Sequence, residues 1–320
     1  QAQAAYLSQG LTLTRGGPPG AREYRMLAAA AEAGALAVPV VGYVDLEHPG
    51  DLPASPHWQK ERGHLRLGGY KIFLDGSPQG RTAWLLEPYL GGDGRDLGCP
   101  IHDDATVTGF VLRALEEGVQ LLAHCNGDAA AEQFIRCCRA AQDRAGKPLR
   151  TIRPVMIHAQ LVRREQLAEM AELGILPSFF AAHVWYWGDV HVENLGRARA
   201  NRLSPLAWAA ELDLPYTLHQ DSPVIPPNMI ESLWCAANRV TRGGALLGPD
   251  QRLSAYGALK AVTVHAARQY GQEDRRGSLA PGKAADLVLL DRDPTAVPPE
   301  DLRSLRVLES IQAGETVYRA

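Results

Sequence analysis

Short apolar runs alternate along the chain with longer stretches in which apolar residues recur every three or four positions. The short runs predict strands and the longer ones predict amphipathic helices. The predicted strands are Leu11–Thr14, Val38–Tyr43, Tyr70–Leu74, Val119–Ala123, Arg153–Ile157, Ile175–Phe179 and Leu214–Leu218. Repeated strand–helix units of this kind indicate an α/β fold with a parallel sheet.

Between and after these strands the pattern favours helices. They are predicted near residues 22–34, 104–117, 129–145, 163–173, 204–212, 228–241 and 254–269. Four glycines stand where helices should end and are predicted as C-caps: Gly34, Gly118, Gly146 and Gly174. Asp128 is predicted as a helix N-cap. Seven strands are one short of a (β/α)8 barrel.

Three connections are predicted as long loops, over residues 45–69, 75–103 and 180–203. Loops of that length in a compact domain usually carry function. The tail differs, because residues 277–291 and 307–320 have the pattern of strands joined by turns. We therefore predict a barrel over residues 1–275 and a small β module over residues 276–320.

The composition excludes several classes of protein. Hydrophobic residues make up 46% and charged residues 22% of the chain, which excludes a disordered protein. With 33 basic against 36 acidic residues there is no positive surplus for nucleic acid. No apolar run is long enough to span a bilayer. The five cysteines show no C-x-x-C spacing, which favours free thiols in a reducing compartment, the cytoplasm.

Polar residues stand at the ends of four predicted strands, where parallel α/β folds place their active sites. They are Lys71 and Asp75, His124, His158, and His219 with Asp221. Imidazole and carboxylate groups bind Zn²⁺, and a carboxylated lysine can bridge two ions. A structural alternative stays open for each residue, since single strand-end histidines often only accept or donate a hydrogen bond and a strand lysine often pairs with a carboxylate.

Eight segments occur in an order that resembles a known family. Among them are KIFLDGSPQGRTAWL, LLAHCNGDAA, RPVMIHAQLV, TLHQDSPVIPPNM and GSLAPGKAADLVLLDRDP. The chain resembles the metal-dependent amidohydrolase superfamily, and within it amidohydrolase family 3, which includes proteins similar to N-substituted formamide deformylase and to exoenzyme regulatory proteins. The similarity extends from about residue 5 to the end of the chain.

The resemblance implies a distorted (β/α)8 TIM-type barrel and a β-sandwich built from both chain ends. It also implies hydrolysis of a non-peptide carbon–nitrogen bond in a small-molecule amide by metal-activated hydroxide. By position, His124 and His158 correspond to metal ligands, and Asp221 to a metal ligand that also acts as the catalytic acid and base. Lys71 corresponds to a bridging, carboxylated ligand.

The same resemblance assigns substrate contacts to His183, Trp187 and His219, with a packed aromatic loop as the alternative for the first two. It implies one or two divalent metal ions. Zn²⁺ is the favoured ion, and Fe, Mn and Co stay open. A homo-oligomer also stays open.

The chain departs from the family pattern at its start. The family has a His-x-His pair on the first barrel strand, and this sequence contains no such pair. The segment SQGLTLTRGG corresponds to the second strand, so we expect the first strand, two ligands and half of the sandwich to be missing here, and activity to be impaired. The alternative is a non-catalytic or regulatory barrel that binds a small molecule. A phosphate-binding barrel isomerase ranks lower, because the Gly-Gly at 243–244 comes too late in the chain.

Overall fold

A curled sheet of seven parallel strands forms the centre of the protein, in a computed structural model that describes residues 1–17 and 20–320. The strands follow one another across the sheet in chain order. They are β1 (Thr14–Arg15), β2 (Val40–Asp45), β3 (Leu65–Phe73), β4 (Gln120–Cys125), β5 (Val155–His158), β6 (Leu176–Phe179) and β7 (Thr217–Leu218). The predicted α/β class and all seven predicted strands are confirmed.

Helices follow most of the strands and cover the outside of the sheet. They are α1 (Ala2–Leu7), α2 (Ala21–Glu32), α3 (Asp104–Glu117), α4 (Asp128–Ala145), α5 (Arg164–Leu173), α6 (His183–Leu195), α7 (Arg197–Ala200), α8 (Leu206–Glu211), α9 (Met229–Asn238), α10 (Ala255–Val262) and α11 (Val264–Gln269). Within the two described ranges, no helix is both long and apolar enough to cross a membrane.

Glycines end three of these helices as predicted. Gly118, Gly146 and Gly174 take the left-handed conformation and cap α3, α4 and α5. Gly34 also has a positive φ of 65°, but it lies one residue beyond the C-cap of α2, which is Ala33.

Three local predictions were wrong. The helix predicted over 254–269 is broken between α10 and α11 at Thr263, whose φ of −123° and ψ of −92° are not helical. The predicted loop over 180–203 contains α6 and α7. Asp128 is the first residue of α4 rather than its N-cap, which is Gly127, and the Asp128 carboxylate accepts the N–H of Leu86 instead.

Alternation along the strands separates a helix-facing side of the sheet from the barrel interior. On β3, Tyr70 and Ile72 pack with the helices, so Lys71 between them faces inward. On β4, Leu121 and Ala123 face the helices, while Leu122 packs inside the barrel. His124 is therefore directed inward as well, on the same face as Leu122.

Gly69 brings β3 close to β4. Its φ is 145°, and a Cβ built on it would lie 2.1 Å from the carbonyl oxygen of Gln120. Only glycine fits there, because any side chain would collide with the backbone of the neighbouring strand.

Near the C-terminus, three antiparallel strands form a separate small sheet. They are β8 (Leu287–Leu290), β9 (Val307–Gln312) and β10 (Glu315–Arg319), with β9 in the middle. The N-terminal segment contacts this sheet, since the hydroxyl of Ser310 donates to the carbonyl of Leu7 at 2.7 Å. Val288 and Leu289 on the outer strand β8 are 39% and 44% exposed.

One arginine joins this C-terminal region to the helices of the barrel. Arg303, in a 3-10 helix at Pro299–Ser304, contacts the rings of both Trp185 and Trp234, with its guanidinium carbon 4.5 and 4.9 Å from their centroids. It also forms an ion pair with Glu231, whose side chain is only 7% exposed, at 2.6 Å. The other oxygen of Glu231 accepts the hydroxyl of Tyr186 at 2.9 Å.

The two ends of the seven-stranded sheet, β1 and β7, border one cavity of about 230 Å³. Thr14 and Arg15 line it from β1, and Thr217 and Leu218 line it from β7. Lys71 and Asp221 reach the same cavity, so it leads to the carboxyl ends of the strands.

Candidate metal centre

Three histidines from three strand ends lie in one hydrogen-bonded row. His124 is the last residue but one of β4, His158 ends β5, and His219 follows β7. Nδ1 of His124 lies 3.0 Å from Nε2 of His158, and Nδ1 of His158 lies 3.1 Å from Nε2 of His219. At the far end, Nδ1 of His219 is 3.0 Å from the hydroxyl of Ser178. The structure thus brings together three residues that the sequence picked separately.

His158 enters the row only because the backbone turns at the end of β5. Strand alternation would direct it away from Ile157, which packs in the barrel interior, and toward the helices. Instead φ is 74° at His158 and 47° at Ala159, in the left-handed region that side chains disfavour. This turn interrupts the regular strand and directs the imidazole inward toward His124.

The row constrains the tautomers of its members. Nε2 of His124 is 2.9 Å from the carbonyl of Gly76 and 3.0 Å from the side-chain amide of Asn126, so it can either donate or accept. Because each neutral imidazole has one N–H, both choices propagate along the row. Either all three rings donate through Nε2, or all three donate through Nδ1.

All three histidines are neutral at pH 7. Burial lowers the pKa of His124 to about 4. Burial also lowers the pKa values of His158 and His219 well below the ordinary value, with neighbouring positive groups adding to the effect. A neutral imidazole is the form that binds a metal ion. The donor chemistry of the row therefore fits a metal site.

Lys71 and Asp221 lie beside the row. Lys71 is 7% exposed, and burial lowers its pKa to about 8, with Arg15 lowering it further and Asp221 opposing the shift. Its ammonium group stands 4.6 Å from the centroid of the Phe73 ring. Asp221 has a φ of 54° and lines the cavity between β1 and β7 together with Lys71 and His219. All four predicted metal-ligand residues thus lie at one end of the sheet.

The ligand atoms are not arranged around one point. Across the part of the chain that the structure describes, the ligand atoms of His124, His158 and Asp221 do not all lie within 4.8 Å of one another. The histidines bond to each other instead. A shared ion would have to replace at least one ring-to-ring hydrogen bond.

Asp75 fixes the loops around the row, a role that its place at a strand end did not reveal. Its buried carboxylate accepts the backbone N–H groups of Trp84, Asn126 and Gly127 at 3.0, 2.9 and 2.7 Å. Burial raises its pKa to about 7 against the effect of these bonds. Its bonds to Asn126 and Gly127 hold the turn after β4 in place. The carboxylate also lies 3.6 Å from Nε2 of His124.

The predicted substrate residues His183 and Trp187 lie one turn apart on α6 rather than on a loop. Their rings are 4.6 Å apart, and Phe180 lies 4.6 Å from His183 and 5.2 Å from His219, measured between centroids. Phe180 thus connects this aromatic group to the histidine row. His183 is only 4% exposed, and its ring stacks on buried His191 with Nδ1 and Nε2 3.2 Å apart. Nothing in the sequence distinguished Phe180 from other apolar residues. The only signal for His191 was that it follows His183 at a helical spacing.

A second group of ligand types lies at the rim, at the carboxyl end of β2. Side-chain ligand atoms of Asp45, Glu47 and His48 all lie within 4.8 Å of one another, and two of these residues are exposed. His102 approaches the Glu47 carboxylate at 3.7 Å. No motif in the sequence indicated this group.

Comparison with known proteins gives a consistent result. A model of the amidohydrolase family matches residues 1–318. The YtcJ protein of Bacillus subtilis (strain 168) is 28% identical over 263 residues, which cover 80% of this chain and 48% of that protein. The N-substituted formamide deformylase of Arthrobacter pascens is 28% identical over 257 residues, which cover 79% of this chain and 46% of that enzyme.

A solved structure agrees with these sequence relatives. A metal-dependent hydrolase from Pyrococcus furiosus superposes with a TM-score of 0.76 at 26% identity, covering 88% of this chain and 56% of its own. The chain spans about half the length of the curated relatives it matches.

Proposed function

Because the chain belongs to the amidohydrolase family, we propose that it supplies the metal-binding end of a hydrolase that cleaves the carbon–nitrogen bond of a small-molecule amide. The observation that carries this proposal is the row of three neutral histidines beside Lys71 and Asp221. Burying so many ionisable groups at one end of a sheet opposes stability, and such clusters are typical of functional sites.

His124, His158 and Asp221 would hold the ion, and Lys71, if carboxylated, would add a bridging ligand. When bound, a divalent ion acts as a Lewis acid and lowers the pKa of a coordinated water toward about 7. The lowered pKa of Lys71 increases the fraction of neutral amine near pH 7, and the neutral amine is the form that reacts with carbon dioxide to give a carbamate.

Asp221 is the proposed proton carrier. It lines the cavity together with Lys71 and His219. From that place it can accept a proton from the attacking water and return it to the leaving amine. His219, with Trp187 and His183 near it across Phe180, would orient the amide.

Zn²⁺ is the proposed ion, since neutral imidazole and carboxylate are its usual ligands.

The cysteines of the chain are free thiols. Cys99 is exposed, and the buried ones are Cys125, Cys137, Cys138 and Cys235. Free thiols persist in a reducing compartment, so we place the protein in the cytoplasm.

Metal titration of the purified chain tests the site. We expect the wild-type chain to bind Zn²⁺ in calorimetry, and His158→Ala to lose most of that affinity while its circular dichroism spectrum is unchanged. His48→Ala removes the rim group and should leave the affinity unchanged. Loss of binding in His48→Ala with full binding in His158→Ala would assign the ion to the rim and refute the proposal.

Hydrolysis is tested with Asp221→Asn, which keeps a ligand oxygen but cannot carry the proton. With N-substituted formamides as probe substrates, we expect any zinc-dependent turnover by the chain to disappear in this variant while zinc binding is partly kept. An Asp221→Asn chain with wild-type turnover would remove Asp221 from the chemistry.

A further inference from the structure

A second cavity, of about 690 Å³, opens at the end of the sheet opposite the histidine row. Its walls come from the chain just before β5 (Arg150 and Arg153), just before β7 (Asp213) and from α11 (His265 and Arg268). We call it the lower cavity. Its volume falls within the range of about 300–1,000 Å³ that is typical of small-molecule sites.

One of its three arginines is already neutralised. The guanidinium of Arg153 forms an ion pair with Glu273 at 2.8 Å and also donates to the backbone carbonyl of Arg268 at 2.9 Å. This bridge fixes the start of β5 to the end of α11 and shapes one wall of the lower cavity. It leaves no charge over for a ligand.

The other two arginines have free donors. Among the residues that the structure describes, the side chains of Arg150 and Arg268 neither donate a hydrogen bond nor form an ion pair. The lower cavity contains three arginines against two carboxylates, those of Asp213 and Glu273, so it has an excess of one positive charge. The whole chain has a net charge of −3, so this positive excess is local.

The lower cavity also has apolar lining residues and a hydrogen-bond acceptor. Leu176, Leu214 and Val264 line the same cavity and give it an apolar surface. The Nδ1–H of His265 donates to the carbonyl of Tyr216 at 3.1 Å, which leaves Nε2 as an acceptor in the neutral ring. A cavity with guanidinium donors and an apolar surface suits a molecule that has an anionic head and a short apolar body.

We propose that the lower cavity binds a small organic anion whose carboxylate or phosphate group is held by Arg150 and Arg268, with its apolar part on Leu176 and Leu214. This site is separate from the histidine row and does not depend on the function proposed for that row. It lies at the amino-terminal ends of the strands, so its ligand does not compete with a substrate at the carboxyl ends.

Calorimetric titration with three probes of one shape tests the proposal: phenylacetate, phenyl phosphate and uncharged 2-phenylethanol. We expect at least one anion to bind with a dissociation constant below about 10 mM, and the alcohol to bind more weakly by about tenfold or more. The anion that binds more tightly identifies the head group. Added salt should weaken anion binding, because the attraction is partly screened.

Variants locate the binding. Arg268→Gln and Arg150→Gln should each weaken the anion by about tenfold, the effect of losing one charge-assisted hydrogen bond. Arg25→Gln changes an exposed arginine on α2, far from the lower cavity, and should have no effect. Arg268→Lys keeps the charge and provides a second test if the glutamine variant does not fold. Failure of both anions to bind, equal binding of the alcohol, or unchanged affinity in the two glutamine variants would overturn the proposal.

Discussion

Replacing Arg303 by alanine should destabilise the protein far more than an ordinary surface arginine would. The guanidinium contacts the rings of Trp185 and Trp234 and neutralises Glu231, which is 7% exposed. Each cation–π contact contributes about 0.5–1 kcal/mol at a partly exposed site. Removing the partner of a buried charge costs about 3–5 kcal/mol, and we discount this to about 2 kcal/mol because Arg303 is 41% exposed.

These contributions together predict a loss of about 3 kcal/mol in the free energy of unfolding. Urea unfolding measures this free energy. Tryptophan fluorescence is a suitable signal, because two indoles contact the guanidinium. Arg306→Ala is the matched control from the same region. Its ion pair with Asp291 is 77% exposed on the arginine side, so this change should cost less than about 1 kcal/mol.

A double variant separates charge from packing. Glu231→Gln removes the buried charge and keeps an oxygen for the hydroxyl of Tyr186. In Arg303→Ala/Glu231→Gln we therefore expect part of the lost stability to return. If Arg303→Ala and Arg306→Ala cost the same, or if the double variant recovers nothing, then Glu231 is not a buried charge that needs Arg303, and the reasoning fails.

Four further predictions concern other regions. Burial holds the pKa of His191 at about 4, below its unfolded value, so its contribution is present above pH 6.5 and is lost as the pH falls toward 4. When the pH falls from 7 to 4.5, the free energy of unfolding should therefore decrease by about 2.5 kcal/mol less in His191→Phe than in the wild type. Urea unfolding at the two pH values measures this, and equal decreases in the two proteins would contradict it. Gly109→Ala, in an exposed part of α3 with nothing within 4 Å, should stabilise the fold by about 0.5–1 kcal/mol. Gly69→Ala should cost about 3 kcal/mol, because its Cβ meets the backbone of β4, and thermal unfolding should shift in opposite directions for the two. Under native conditions a thiol reagent should label Cys99 alone of the five cysteines, and rapid labelling of a second would show that the core opens.

Much of the fold could be predicted because strands and helices have different periods. The positions of Lys71 and His124 at strand ends indicated a shared site. In the structure, alternation along β3 and β4 directs both side chains to the inner face. The break at Thr263 could not be predicted, since it depends on a single backbone conformation within an apolar helical pattern. The helix over His183–Leu195 was missed because its aromatic residues and glycine resemble a loop.

The site itself was only partly predictable. The four residues predicted as metal ligands come together, but the hydrogen bond between His158 and His219 depends on where two chain segments meet. His158 would face the helices if β5 continued regularly, and only its positive φ directs it inward. Asp75 looked like one more strand-end carboxylate, and its three backbone partners come from segments distant in sequence.

The left-handed residues at the strand ends shape the candidate site and lower the stability of the fold. His158, Ala159 and Asp221 have φ values of 74°, 47° and 54°, and conformations of this kind cost about 1 kcal/mol or more each. Their sum is a sizeable part of the roughly 5–15 kcal/mol by which a folded domain is stable. Selection for heat resistance alone would favour glycine at these positions, but glycine at position 158 would remove the central imidazole of the histidine row and glycine at position 221 would remove the carboxylate beside it. A lineage that keeps the row therefore accepts a lower melting temperature than its scaffold could reach.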